Sequence, residues 1–231
     1  MPERTVNTSP PAGGKTRDEI AQAYASPPWW YDVRGFFILT FSYNNSLWSQ
    51  LRFFGPHFGT RHLEVACGTG TLLGLLLAWR KWKKLPLSEI SGIDYAPSML
   101  AGALRRFANN PMVQLQHADA AALPYADGEF DTVNIANSVH CLPDVEGALK
   151  EMFRVLKPGG SLALNALLYP TGRWPLRQIA QRINRWGMRK GILYSPFNPE
   201  YIRERVANQG FVVTTEQHLG NCLNLLVRKP G

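Results

Sequence analysis

The run His62-Leu63-Glu64-Val65-Ala66-Cys67-Gly68-Thr69-Gly70 has the residue types of a ligand-binding turn. An apolar stretch ends near an acid, passes through small residues and enters the apolar run that starts at Thr71. Small residues let a ligand lie against the backbone. The first amides of the following helix lack intrahelical partners and can meet an anionic or polar group. The pattern predicts a nucleotide-type site at the end of a first strand. Two nucleotide patterns fail on spacing. A dinucleotide turn needs G-x-G-x-x-G; counted from Gly68, its third glycine position is Leu73, and Gly74 comes one residue late. A phosphate loop needs Gly-Lys-Ser/Thr, which does not follow.

Further polar residues recur where later strands end. Asp94 lies 24 residues beyond Gly70, where a carboxylate can accept hydrogen bonds from both hydroxyls of a ribose. Asp119 sits in His117-Ala118-Asp119-Ala120, and Asn137 opens Asn137-Ser138-Val139-His140-Cys141. His140 is a candidate general base, because imidazole titrates in the useful range. Cys141 beside it reads as a small buried hydrophobe.

These residues need a scaffold that brings strand ends together. From Arg61 the pattern alternates strand, turn and helix. Strands are predicted over 61–66, 89–94, 113–117, 131–136 and 161–166, and helices over 71–79, 96–107 and 145–156. Pro97 stands in a first helical turn, where proline is tolerated, and Lys157-Pro158-Gly159-Gly160 ends the third of these helices. The alternation argues for a parallel sheet with helices on both faces. A helix over 199–209 precedes two more strands, 211–216 and 221–228. The short turn between them makes that pair antiparallel.

The glycine turn resembles motif I of the class I S-adenosylmethionine-dependent methyltransferases, with Ala66 where the first glycine is usual. Ile93-Asp94-Tyr95-Ala96-Pro97-Ser98-Met99-Leu100, the Asp119 segment, the strand end before His140, and Arg154-Val155-Leu156-Lys157-Pro158-Gly159-Gly160 follow in that family's order. Within the class they look most like the small-molecule branch that includes ubiquinone/menaquinone C-methyltransferases. The resemblance implies a Rossmann-like α/β fold: a seven-stranded, mostly parallel sheet with one antiparallel strand, helices on both faces and a helical, aromatic N-terminal addition. It implies S-adenosylmethionine as cofactor, with S-adenosylhomocysteine as product. Glu64, Ala66, Gly68, Gly70, Asp94, Tyr95, Met99, Asp119, Ala120 and Asn137 are then the cofactor-binding candidates. Tyr95 and Met99 should border the adenine. The competing readings are a nicotinamide-dependent oxidoreductase and a non-catalytic scaffold.

The 231 residues suit one domain with additions. Residues 1–17 are expected to be a disordered tail, 18–60 a helical lid, and 61–231 the catalytic domain with a substrate-side insertion at 167–198. The aromatic N-terminal region, including Trp30 and Tyr31, and the insertion are the expected acceptor-binding parts. They could enclose a small or lipid-like acceptor, or dock on an anionic membrane. The net charge is +8, but no basic stripe with interleaved aromatics stands out, so nucleic acid is not the expected partner. The three scattered cysteines, Cys67, Cys141 and Cys222, have neither metal nor disulfide spacing. No metal site is expected, and the expected location is the cytoplasm.

Overall fold

A computed structural model describes residue 38 and residues 42–171, 174–190, 193 and 196–231. Trp30, Tyr31, Arg173 and Tyr194 lie outside the described residues, as do the expected tail and most of the lid. Among the described residues, seven strands form one sheet: β1 (Arg61–Val65), β2 (Glu89–Asp94), β3 (Val113–His117), β4 (Phe130–Ile135), β5 (Leu156–Leu167), β6 (Val212–Leu219) and β7 (Cys222–Arg228). Their spatial order is β3-β2-β1-β4-β5-β7-β6. Every pair is parallel except β5–β7 and β6–β7, so β7 alone is reversed.

The helices are α1 (Leu47–Phe54), α2 (Thr71–Trp82), α3 (Pro97–Phe107), α4 (Val145–Val155), α5 (Leu176–Lys190) and α6 (Pro199–Asn208). Local chemistry starts several of them. Ser46 caps α1 by accepting the Ser49 amide at 3.2 Å, and Asp144 caps α4 by accepting the Gly147 amide at 2.8 Å. Buried Val145, Ala148, Leu149, Met152 and Val155 recur at helical spacing along α4.

One hydrophobic cluster joins Leu63, Val65, Ile93, Val133 and Ile135 of the sheet to Leu149 and Met152 of α4 and Ile202 and Val206 of α6. A second joins Phe53 and Phe54 of α1 to Leu73 and Leu76 of α2, with Ile90 and Ala163 from the sheet. The helices therefore cover both sheet faces. Each buried leucine or phenylalanine contributes about 1.5–3 kcal/mol of burial free energy, an upper estimate.

Leu156 already pairs with Phe130, before the Lys157–Gly160 turn, and regular pairing resumes at Thr132 and Ser161. β5 thus starts five residues earlier than the predicted strand, across an irregularity that carries Gly159 at φ +76°. The chain moves outward from β1 through β2 to β3 and then returns to β4 on the other side of β1. That reversal opens a crevice at the carboxyl ends of β1 and β4, where ligands of such sheets bind.

Candidate functional site

The loop after β1 is built from left-handed residues. Ala66, Gly68 and Gly70 have φ of +55°, +58° and +71°. Gly70 caps α2, and a Cβ there would come within 2.7 Å of the Phe107 ring and 3.2 Å of Ala103. That glycine lets α2 and α3 approach. A Cβ on Gly68 would meet nothing within 4 Å, so this glycine borders open space. Ala66 takes the same backbone region with a side chain, at a cost of roughly 1–2 kcal/mol.

Asp94, at the end of β2, holds the loop from the side. Its carboxylate accepts the Gly68 amide at 2.7 Å and the Ala96 amide at 2.8 Å. Burial raises its pKa, against the pull of those two amides. Glu64 is buried opposite Gly92 of β2 and Asn134 of β4. Burial pushes its carboxyl up to about 8. The Asn134 amide pulls the other way, although it falls short of a formed hydrogen bond. Behind Glu64, His62 stacks on Phe58 at 3.7 Å and bridges Thr132 Oγ1 (2.8 Å) and Glu64 Oε2 (3.4 Å). Burial, then the charge of Arg80, lowers the His62 pKa to about 3.

Asn137 follows β4 at φ +56°. Its side chain exchanges hydrogen bonds with Gln50 of α1, and Asn165 Nδ2 donates to its Oδ1 at 2.9 Å. His140 lies in a 3-10 turn at Val139–Cys141 and is 3% exposed. The Leu167 amide donates to its Nδ1 at 3.3 Å, which places the ring proton on Nε2. That nitrogen meets the Tyr43 hydroxyl, and the hydroxyl in turn reaches the Asn137 carbonyl at 3.5 Å. Burial brings the His140 pKa down to about 3.

Tyr43 is anchored from the far edge of the sheet. Asn221, in the β6–β7 turn, donates its amide to the Tyr43 carbonyl at 2.7 Å and its side-chain NH2 to the Ser42 carbonyl at 2.8 Å. The Ser42 hydroxyl donates to Asn184 of α5.

These pieces enclose a cavity of about 260 Å³. Its floor is Ala66–Thr69 with Ala136–Ser138. Its walls include Tyr43, Gln50, His140 and Leu167, and Leu75 of α2 and Ile183, Asn184 and Trp186 of α5 complete them. Among the described residues no Asp, Glu, Lys or Arg lines it. Of the sequence candidates, Ala66, Gly68, Asn137 and His140 therefore meet at this space. Asp94 and Gly70 support the loop. Glu64, Tyr95, Met99, Asp119 and Ala120 do not line the cavity. Met99 is packed in the core of α3. Tyr95 lies beside the His117 ring at 5.2 Å, and Asp119 accepts the Ala121 amide at 3.0 Å. The sequence reading did not single out Gln50, Asn165, Asn184 or Asn221. Leu73, the residue that breaks the dinucleotide spacing, is buried in the second hydrophobic cluster. Among the described residues no cluster of His, Cys, Asp or Glu has metal-site geometry.

A family model described as a methyltransferase domain matches residues 63–164. A curated relative, Demethylmenaquinone methyltransferase of Staphylococcus aureus, is 40% identical over 117 residues, 51% of this chain and 47% of the relative. The chain thus spans about half the length of the curated relatives it matches. Among solved structures, a putative methyltransferase in complex with the Haloferax volcanii Trm112 methyltransferase activator superposes with a TM-score of 0.66 at 16% identity, covering 94% of this chain and 98% of that one. Haemonchus contortus phosphoethanolamine N-methyltransferase 2, in complex with S-adenosyl-L-methionine, gives 0.63 at 18% identity over 96% of this chain and 61% of that one. At such identities the likeness is one of fold.

Proposed function

We propose, from the match of residues 63–164 to a methyltransferase domain and the fold shared with solved methyltransferases, that the chain is a class I S-adenosylmethionine-dependent enzyme that transfers a methyl group to a neutral, flat or lipid-like small molecule. The observation that carries the acceptor class is the cavity beside Gly68, which no charged side chain lines among the described residues. Beyond the part beside Ala66–Thr69 that the cofactor would fill, the walls at Tyr43, Leu75, Leu167, Ile183 and Trp186 offer a charged acceptor group no opposite charge to replace its lost hydration. A hydroxyarene of the quinol type is the first candidate, because the curated relative is named for a quinone precursor.

The residues fit the cofactor. The open space over Gly68 accommodates a ligand against the backbone. Asp94 would take the ribose hydroxyls on lone pairs left over from its two backbone bonds. Asp119 and Ala120 would meet the adenine, with Tyr95 and Met99 supporting that side. Glu64 and Asn137 would serve the amino-acid part. When bound, the cofactor supplies the methyl electrophile. The protein's own work is to hold the acceptor in line and keep water out.

His140 is assigned a positioning role. With its proton on Nε2 it donates a hydrogen bond to the Tyr43 oxygen, and its low pKa leaves it neutral near pH 7. Tyr43, fixed in this way, presents its ring and hydroxyl at the cavity wall, where an acceptor hydroxyl would dock. The test is transfer of label from methyl-labelled S-adenosylmethionine to a dihydroxynaphthalene. Label in the organic extract is the expected result. Absence of transfer across a panel of neutral hydroxyarenes would refute the acceptor class.

A further inference from the structure

Two apolar stripes run from the cavity to solvent. On α2, Thr71 and Leu75 line the cavity. Trp82 stands seven residues beyond Leu75 on the same helix face and is 64% exposed. The exposed Trp48 of α1 lies near it, with ring centroids 6.4 Å apart. On α5, Ile183 and Trp186 line the cavity. Ile179 and Leu176 continue that stripe outward at helical spacing, and Leu176 is 56% exposed. The domain fully covers only Ala180, Asn184 and Gly187 of α5. The apolar face of this helix is therefore wider than the surface it packs on.

Among the described residues, the sequence along both stripes carries cations and no acids. Arg182, Arg185, Arg189 and Lys190 of α5 are exposed, as are Lys81 and Lys83 beside Trp82. No Asp or Glu occurs between Glu151 and Glu200, nor between Glu64 and Glu89. Amphipathic helices with bulky apolar residues on one face and arginines on the other lie in the headgroup region of anionic bilayers, and tryptophan favours that interface. A protein partner would have to match two separate helices with acids at fixed places. A layer of anionic headgroups matches them anywhere.

We propose that the face formed by α2 and α5 around the cavity mouth docks on an anionic lipid surface, from which a lipid-soluble acceptor enters the cavity. The entry route rests on the acceptor reading above; the docking does not.

The experiment is vesicle flotation of the full chain, with phosphatidylcholine alone and with added phosphatidylglycerol, at low and high salt. The expected result is binding to the anionic vesicles at least about tenfold tighter than to the neutral ones, weakening as salt rises. The pairs Leu176→Ser with Ile179→Ser, and Arg182→Glu with Arg189→Glu, should each weaken it about tenfold or more. Their melting temperature and their turnover of a water-soluble acceptor should stay at the wild-type level. Equal or absent binding to the two vesicle types would overturn the proposal, and so would vesicle binding that ignores these substitutions. Substitutions that abolish self-association in sedimentation, with no effect on vesicles, would instead make this face a contact between copies. Cofactor binding with no vesicle binding sinks the docking alone; vesicle binding with no cofactor binding sinks the methyl-transfer reading alone.

Discussion

Gln50 and Asn137 exchange two side-chain hydrogen bonds, at 2.8 and 2.9 Å, across 87 residues of chain. The pair ties α1 to the end of β4, so the wall of the cavity depends on an element outside the sheet. Both side chains line the cavity, and Asn165 supports Asn137 from β5. Gln50→Leu removes both bonds and leaves the Asn137 NH2 without its Gln50 partner. The expected outcome is a loss of about 1–2 kcal/mol in unfolding free energy and a weaker cofactor complex. Denaturant unfolding and calorimetry check the two separately.

The histidine of the cavity should behave as a holder rather than a base. His140→Gln keeps a donor and an acceptor in the same place, and Tyr43→Phe removes the hydroxyl it holds. The account expects His140→Gln to retain most of the turnover, with a pH–rate profile lacking any new or lost limb near pH 6–7. Tyr43→Phe should raise the acceptor KM more than it lowers kcat. A His140→Gln variant that loses activity about a thousandfold while binding the acceptor normally would restore the base role.

Stability should peak slightly on the acid side of neutrality. His62 and His140 drop from 6.5 to about 3 on folding. The unfolded chain therefore binds more protons between those values, and stability is lost as pH falls from 6.5 toward 3. Glu64 rises from 4.5 to about 8. The folded chain then binds the extra proton, and stability falls as pH rises through that window. Between pH 4.5 and 6.5 the lowered histidines, His57 among them, outnumber the raised carboxyls of Glu64 and Asp94; above 6.5 only the carboxyls remain. Melting temperatures across this range should show a maximum near pH 6.5, and Glu64→Gln should flatten the fall toward pH 8.

Ala66 occupies a position that suits glycine better. Ala66→Gly removes the left-handed strain at φ +55°, and the gain is partly offset by the greater entropy of the unfolded chain. A net stabilisation of up to about 1 kcal/mol is expected, read from the shift of the denaturant midpoint. Destabilisation by that amount would mean that the Ala66 methyl packs better than its backbone suggests.

The sheet was readable because β2 and β3 are short and bounded by turns, and β2 runs into a helix-forming stretch; both fall at the predicted ranges. The reversed strand was readable from the short turn before β7. The sharp turn through small residues after β1 and the place of Asp94 at the end of β2 were readable because both patterns are local; the bond from the Gly68 amide to Asp94 joins two strand ends and was not. The cavity wall was not. Ser42 meets Asn184 across 142 residues and Tyr43 meets His140 across 97, and no local pattern encodes such pairs. Tyr43 was one aromatic residue among many, and Asn221 read as the first residue of the last strand rather than as part of the turn before β7. α5 was legible only as a basic, aromatic insertion with helical spacing, because what it packs against is set by the folded sheet.

The central claim is that the loop held by Asp94 binds the adenosyl cofactor, and calorimetric titration with S-adenosylhomocysteine tests it most directly. The account predicts saturable one-site binding to the wild-type chain. For Asp94→Ala it predicts a loss of about one hundredfold, the equivalent of two charge-assisted hydrogen bonds, with the cooperative unfolding transition retained. A wild-type chain that does not bind the ligand, or an Asp94→Ala variant that binds it as tightly as the wild type, would contradict it.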